Sequence, residues 1–100
     1  MEIFRGRRLW IEQRDISLPN GLVRSKIIVH PSNAVAILPR DGDHVILLRQ
    51  YRYAIDDYII EAPAGALEEG EDPLAAAGRE LIEETGYAAR TIEPRGFIIT

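Results

Sequence analysis

The chain has no cysteine, and only two histidines among its 100 residues. That excludes disulfides, thiolate zinc sites and a cysteine nucleophile, and it fits a reducing, cytoplasmic setting. His30 and His44 stand alone, and neither is assigned a chemical role. No apolar run is long enough to cross a bilayer. Arg5, Arg7 and Arg8 lie near the start, but no apolar stretch of the kind a signal peptide needs follows them. There is no excess of basic charge either. With 12 basic and 16 acidic side chains the net charge is -4, which argues against a broad nucleic-acid-binding face. There are no internal repeats and no low-complexity segments. What remains, 46% hydrophobic and 28% charged residues, is the composition of one small soluble domain.

The acid that is present is local, concentrated between Glu61 and Glu84. Within it Glu80, Glu83 and Glu84 stand at i, i+3 and i+4, which puts three carboxylates on one face of a predicted helix. Unpaired, they repel and weaken that helix. A Glu-rich helix face is most often solvated surface. A face of this kind also suits a hard divalent cation, because magnesium takes carboxylate and phosphate oxygens. Arg79 lies within i,i+4 reach of Glu83 and can hold its carboxylate in place. Asp72-Pro73 opens the helix as N-cap and first-turn proline, and Gly86 closes it. The stripe expected to face the core is Leu74, Ala77, Gly78, Leu81 and Thr85.

Upstream the chain reads as strands and turns. Glu2 to Leu18 forms one or two strands, with Ile3, Leu9, Ile11 and Ile16 as candidate buried residues. Pro19-Asn20-Gly21 is a turn, and Leu22 to His30 the strand that returns from it. Ala34 to Leu38, His44 to Tyr53 and Tyr58 to Ala62 are further strands, with Pro63-Ala64-Gly65 as a loop. Arg90 to Glu93 and Gly96 to Thr100 read as additional strands. Phe97-Ile98-Ile99-Thr100 stops without a cap or polar tail, which predicts a C-terminally truncated chain.

Gly65, Glu71, Arg79, Glu80, Leu81, Glu83, Glu84 and Gly86 together resemble the Nudix box, with Tyr87 where that family usually has an aliphatic residue. Outside the box, Leu48-Arg49-Gln50-Tyr51-Arg52-Tyr53, Glu61-Ala62-Pro63-Ala64-Gly65 and Gly70-Glu71-Asp72-Pro73 are similar to motifs of ADP-ribose pyrophosphatases. The resemblance runs from about Leu22 to Tyr87. It implies an α+β fold: a Nudix-type mixed β-sheet with the box helix packed on it, after an N-terminal antiparallel extension. Residues 1–30 would be a β-hairpin that forms a homodimer, and residues 31–100 the Nudix domain.

The function this implies is magnesium-dependent hydrolysis, with manganese as an alternative metal. ADP-ribose, or a related nucleoside diphosphate sugar, would give a nucleoside monophosphate and a sugar phosphate. Glu80, Glu83, Glu84 and the Ala64 carbonyl would be the metal ligands. Glu83, Glu84, Glu80 and Arg79 would be the catalytic set, with Arg79 orienting a glutamate and Glu71 bracing the loop. Arg52, Ala66, Glu61 and Lys26 would line the substrate site, with Lys26 reaching across the dimer, and Tyr51 or Tyr53 would stack on the adenine. Two alternatives stand beside this: another nucleoside diphosphate-linked substrate or an oxidised nucleoside triphosphate, and a truncated, non-catalytic nucleotide-binding or assembly module.

Overall fold

The computed structural model describes residues 1–99, and the chain divides into two compact units, Met1–Asn33 and the residues from Ala34 onward. The first unit is an antiparallel three-stranded meander in the order β1-β2-β3: β1 (Glu2–Arg5), β2 (Leu9–Ser17) and β3 (Val23–Pro31). The turn between β2 and β3 falls on the Pro-Asn-Gly signal. Gly21 takes φ +84°, a backbone region that L side chains rarely enter, and its N–H donates to the Leu18 carbonyl at 2.9 Å. Pairing then runs without a break from Ser17 opposite Val23 to Leu9 opposite Pro31. The sheet has no second layer within this unit. Of the residues expected to be buried, Leu9, Ile11 and Ile16 are half-buried, whereas Ile3, on the bulged edge strand β1, is exposed.

The residue most enclosed in this unit is polar. Glu12 is 9% exposed and accepts hydrogen bonds from Arg14 Nε at 2.7 Å and His30 Nε2 at 2.8 Å. The register explains the meeting, since Trp10 sits opposite His30 and Glu12 opposite Ile28 on the same face. His30 stacks on Trp10 at 4.0 Å with the rings 10° apart. His30, given no role from sequence, is thus a structural partner of Glu12 and Trp10.

The second unit contains β4 (Ala34–Ala36), β5 (Arg40–Asp41), β6 (His44–Val45), β7 (Leu48–Arg52), β8 (Asp57–Glu61), β9 (Ala64–Ala66) and α1 (Pro73–Thr85). Its ladders β4-β9, β5-β6 and β7-β8 are all antiparallel. With the helix they give the α+β class expected. The strand expected over His44 to Tyr53 divides in two because it changes partner: β6 pairs with β5, and β7 with β8. The Pro63-Ala64-Gly65 loop is largely strand, with Ala64, Gly65 and Ala66 opposite Ala36, Val35 and Ala34. Arg90 to Glu93 and residues 96–99 form no strand, having no ladder partner among the described residues. Thr100, the last residue of that expected strand, lies outside them.

The helix packs on β9 and β4. Asp72 accepts from the Ala75 N–H at 3.2 Å, and Gly86, at φ +78°, donates its N–H to Ile82 O at 2.9 Å. Both caps fall where the sequence puts them. The buried face is shifted from the expected stripe: Ala76, Ala77, Glu80 and Leu81 are inside, while Leu74 is exposed. The reason is the partner strand. Ala64, Gly65 and Ala66 have almost no side chain, so the helix lies close and presents its own small residues. Among the described residues no helix is long and apolar enough to cross a membrane.

Candidate active site

The contact between α1 and β9 decides the geometry. Glu80 points its carboxylate at the backbone of Gly65, and a Cβ built on Gly65 would overlap that carboxylate. Glu80 is 9% exposed, a carboxylate kept inside by position. One turn on, Glu84 Oε2 faces the Ala64 N–H at 3.4 Å. The strand residues Ala64 and Gly65 and the helix residues Glu80 and Glu84 therefore share one corner, as the i,i+4 spacing requires.

Arg79 ties the rest together. Its Nε and Nη2 each donate to Glu71 at 2.9 Å, a bidentate pair. Its Nη1 donates to Glu80 at 2.8 Å and reaches Glu83 at 3.3 Å. The Ala66 carbonyl accepts from Nη2 at 3.3 Å. The expected Arg79–Glu83 contact is present, but it is longer than those to Glu71 and Glu80. Glu83 is also the most exposed member of the group. Glu71 braces the loop as expected, since it also accepts from the Glu68 N–H at 3.1 Å. Ala66, named for a substrate contact, contributes here a carbonyl that holds Arg79.

The electrostatics follow from these contacts. The Arg79 guanidinium, helped by the Glu68 N–H, holds the Glu71 carboxyl down at about 2, against its ordinary 4.5. In the other unit, the hydrogen bond from Arg14 holds Glu12 at about 2, with His30 adding to it and burial opposing. Arg79 is pushed up, chiefly by Glu71. Unfolded, both carboxyls take up protons near their ordinary values; folded, they stay ionised far below them. Between the two the unfolded chain binds more protons, so stability is lost as pH falls through this window. The midpoint of urea unfolding is expected to drop between about pH 5 and about pH 3. Glu71→Gln should lower the midpoint at the higher pH and narrow the drop. An unchanged drop in that variant would contradict the assignment.

The hairpin β7-β8 adds Arg52 and Glu61. Arg52 Nε donates to Glu61 Oε1 at 2.8 Å and Nη2 to the other oxygen, a forked pair across the two strands. Arg52 is pushed up mainly by its hydrogen bond to Glu61, with a smaller contribution from the Glu84 charge. Tyr51 stands edge-on to both Tyr53 and Tyr58, at 5.6 and 5.3 Å between centroids. Lys26 lies in the first unit on β3, exposed and opposite Arg14.

Among the described residues, no three His, Cys, Asp or Glu side chains converge closely enough to cage a metal by themselves. Zinc, which wants such a set, is a poor match. Magnesium is a better one: it keeps several waters and is held by one or two carboxylates plus substrate phosphates. Glu80 and Glu84 are hard oxygen donors on one corner, and Arg79 offsets only part of the surrounding negative charge. The residues fit a magnesium-type ion. Sequence reasoning misses the reason Gly65 is a glycine, because that depends on how closely the helix approaches. Gly65→Ala is expected to displace Glu80 and lower any metal-dependent turnover about 100-fold, the cost of a misplacement on the order of 1 Å. Circular dichroism of the variant would show whether the helix survives.

Comparison with known proteins gives the family and the fold. Residues 30–98 match the NUDIX domain model, and the chain belongs to the Nudix family. It is 41% identical over 93 residues to a methanol dehydrogenase activator of Bacillus methanolicus, covering 92% of this chain and 50% of the relative. It is 41% identical over 92 residues to an ADP-ribose pyrophosphatase of Bacillus subtilis (strain 168), covering 91% and 50%. A crystal structure of an ADP compounds hydrolase superposes with a TM-score of 0.78 at 34% identity, covering 91% of this chain and 50% of that one. The chain thus spans about half the length of the curated relatives it matches.

Proposed function

We propose that the protein hydrolyses the diphosphate of ADP-ribose, or of a related nucleoside diphosphate sugar, to a nucleoside monophosphate and a sugar phosphate. The observation that carries this reading is the corner where Glu80 lies against Gly65, with Glu84 at Ala64 and Arg79 bridging Glu71, Glu80 and Glu83. The names of two relatives, an ADP-ribose pyrophosphatase and an ADP compounds hydrolase, support the substrate class. Glu80, Glu84, Glu83 and the Ala64 carbonyl would hold magnesium, with manganese as a substitute. When bound, such an ion supplies charge neutralisation on the phosphates and a more acidic water.

The protein's own groups do the rest. Arg79 fixes the direction of Glu80 and Glu83. Glu83, the most exposed of the three box carboxylates, is the one free to take a proton from water. Arg52, released in part from Glu61, offers a planar fork to a phosphate or ribose. Ala66 and Glu61 shape the wall, with Tyr51 or Tyr53 against the base. The reading includes a homodimer formed through an N-terminal hairpin domain of residues 1–30, with Lys26 reaching the partner's nucleotide, a Nudix domain of residues 31–100, and a cytoplasmic location.

The test is incubation of the chain with ADP-ribose and magnesium, with AMP and ribose 5-phosphate resolved by chromatography. Equal release of both products, abolished by EDTA and restored by excess magnesium, is the expected result. Binding of ADP-ribose without release of either product would overturn hydrolysis by this chain in favour of a nucleotide-binding module.

A further inference from the structure

The first unit contains a feature that the hydrolysis does not use. A shallow cavity of about 300 Å³, widely open to solvent, lies between the β1-β2 turn and the end of β3. Arg5, Arg7, Arg8 and His30 line it, and no aspartate or glutamate does, although the chain carries a net charge of -4. The carboxylates nearby are already committed. Glu2 accepts from Arg5 at 2.6 Å, and Glu12 is held by Arg14 and His30. Arg7 and Arg8 have no carboxylate partner among the described residues. Arg7 and Arg8 thus bring to the lining two positive charges that no carboxylate in the described residues neutralises.

The wall is held in place. The Gly6 N–H donates to the Leu9 carbonyl at 2.8 Å, closing the turn that carries Arg7 and Arg8. The Arg8 carbonyl accepts from the Ser32 N–H at 2.8 Å and the Ser32 hydroxyl at 2.9 Å, fixing the turn to the end of β3. The aromatic part of the lining already has ring partners: His30 stacks on Trp10, and the Arg5 guanidinium lies over Trp10 at 5.1 Å. A planar base would have to displace one of them, whereas a compact anion needs only the free arginine forks. Guanidinium matches phosphate oxygens in geometry and charge better than ammonium does.

We infer that this cavity is a binding site for a phosphate group, inorganic or as a simple phosphomonoester, held by Arg7 and Arg8. It does not depend on the hydrolysis proposed above. The test is titration of the whole chain with inorganic phosphate and, separately, ribose 5-phosphate. Both are done in EDTA, so that the box glutamates offer no metal to the anion. Calorimetry gives the affinity, and fluorescence of Trp10, the one tryptophan, reports on the cavity itself.

The expected result is saturable binding that weakens with salt, about tenfold weaker in Arg7→Ala or Arg8→Ala and weaker still in the double variant. Arg24→Ala, which removes the same charge from exposed β3, should leave it unchanged, and so should Glu80→Gln. Equal affinity for the two anions assigns the site to the phosphate group alone, and a preference for the ester assigns it to phosphomonoesters. Absence of saturation, equal loss in Arg24→Ala, or full binding in the double variant that keeps its circular dichroism spectrum would overturn the inference.

Discussion

Glu80→Gln is expected to lower metal-dependent turnover by a factor of about 100 to 1,000, the range seen when one group stabilising transition-state charge is removed. The substitution keeps the shape of the side chain and removes its charge. Shape matters here because Glu80 is enclosed against Gly65 and bonded to Arg79, so a smaller residue would leave both without a neighbour. The amide still fills the corner and still presents one oxygen, but it is a weaker ligand for a hard cation. Loss of affinity should therefore appear first in the magnesium dependence. Raising the metal concentration should recover part of the rate, whereas the same increase should do nothing for a variant whose fold has failed. Rates within a factor of about three of the parent at every magnesium concentration would remove Glu80 from the site, since that corresponds to less than about 1 kcal/mol of barrier.

Arg79→Lys carries the second large effect, and it falls on geometry. Arg79 makes two parallel hydrogen bonds to Glu71 while its third nitrogen holds Glu80 and reaches Glu83. Lysine keeps the charge but has a single nitrogen at the end of a flexible stem. It can satisfy one carboxylate or another, but cannot span all three. Turnover is expected to fall about 100-fold at saturating substrate, from misplacement of Glu80 and Glu83, with KM changed little because the Arg79 fork is taken up by Glu71, Glu80 and Glu83. Glu71 should lose its strongest partner, and its carboxyl should move back up toward the ordinary range. Carbon-detected NMR of the Glu71 carboxyl reads that movement directly. A lysine variant with full turnover would show that charge near Glu80 suffices and that the fork is incidental.

Much of the site is legible in the amino-acid sequence. The caps Asp72 and Gly86, the carboxylate face of α1 and the Pro-Asn-Gly turn are local, and local signals depend on a few neighbouring residues whose φ and ψ the sequence restricts. Spacing puts the box glutamates on one face, because a helix converts i and i+4 into neighbours whatever surrounds it, and the flanking glycines and Arg79 mark that face as a site. Arg52 and Glu61 each stand out in the sequence, but the register sets them opposite Asp57 and Leu48, and only their long side chains bring them together.

The residues that the sequence misplaces share another property. Helical periodicity puts Leu74 inside, and it is exposed; it passes over Ala76, which is buried. The i,i+4 spacing assigns Arg79 to Glu83, yet Arg79 binds Glu71 and Glu80 more closely. Pro63-Ala64-Gly65 reads as loop and is largely strand. In each case the decision belongs to a segment distant in sequence. How near α1 approaches β9 sets which helix residues are covered, and where the Glu71 loop returns sets which carboxylate Arg79 meets first.

By itself, then, the sequence determined most of the elements, their ends and the chemistry available on each, since those rest on backbone propensity and side-chain spacing. Only the tertiary structure decided which groups meet. It packed an Ala-Gly-Ala strand against the helix so tightly that Glu80 sits inside. It also closed Arg14 and His30 on Glu12 and stacked His30 on Trp10. Such meetings are contacts across space, and no spacing along the chain encodes the distance between two elements that pack.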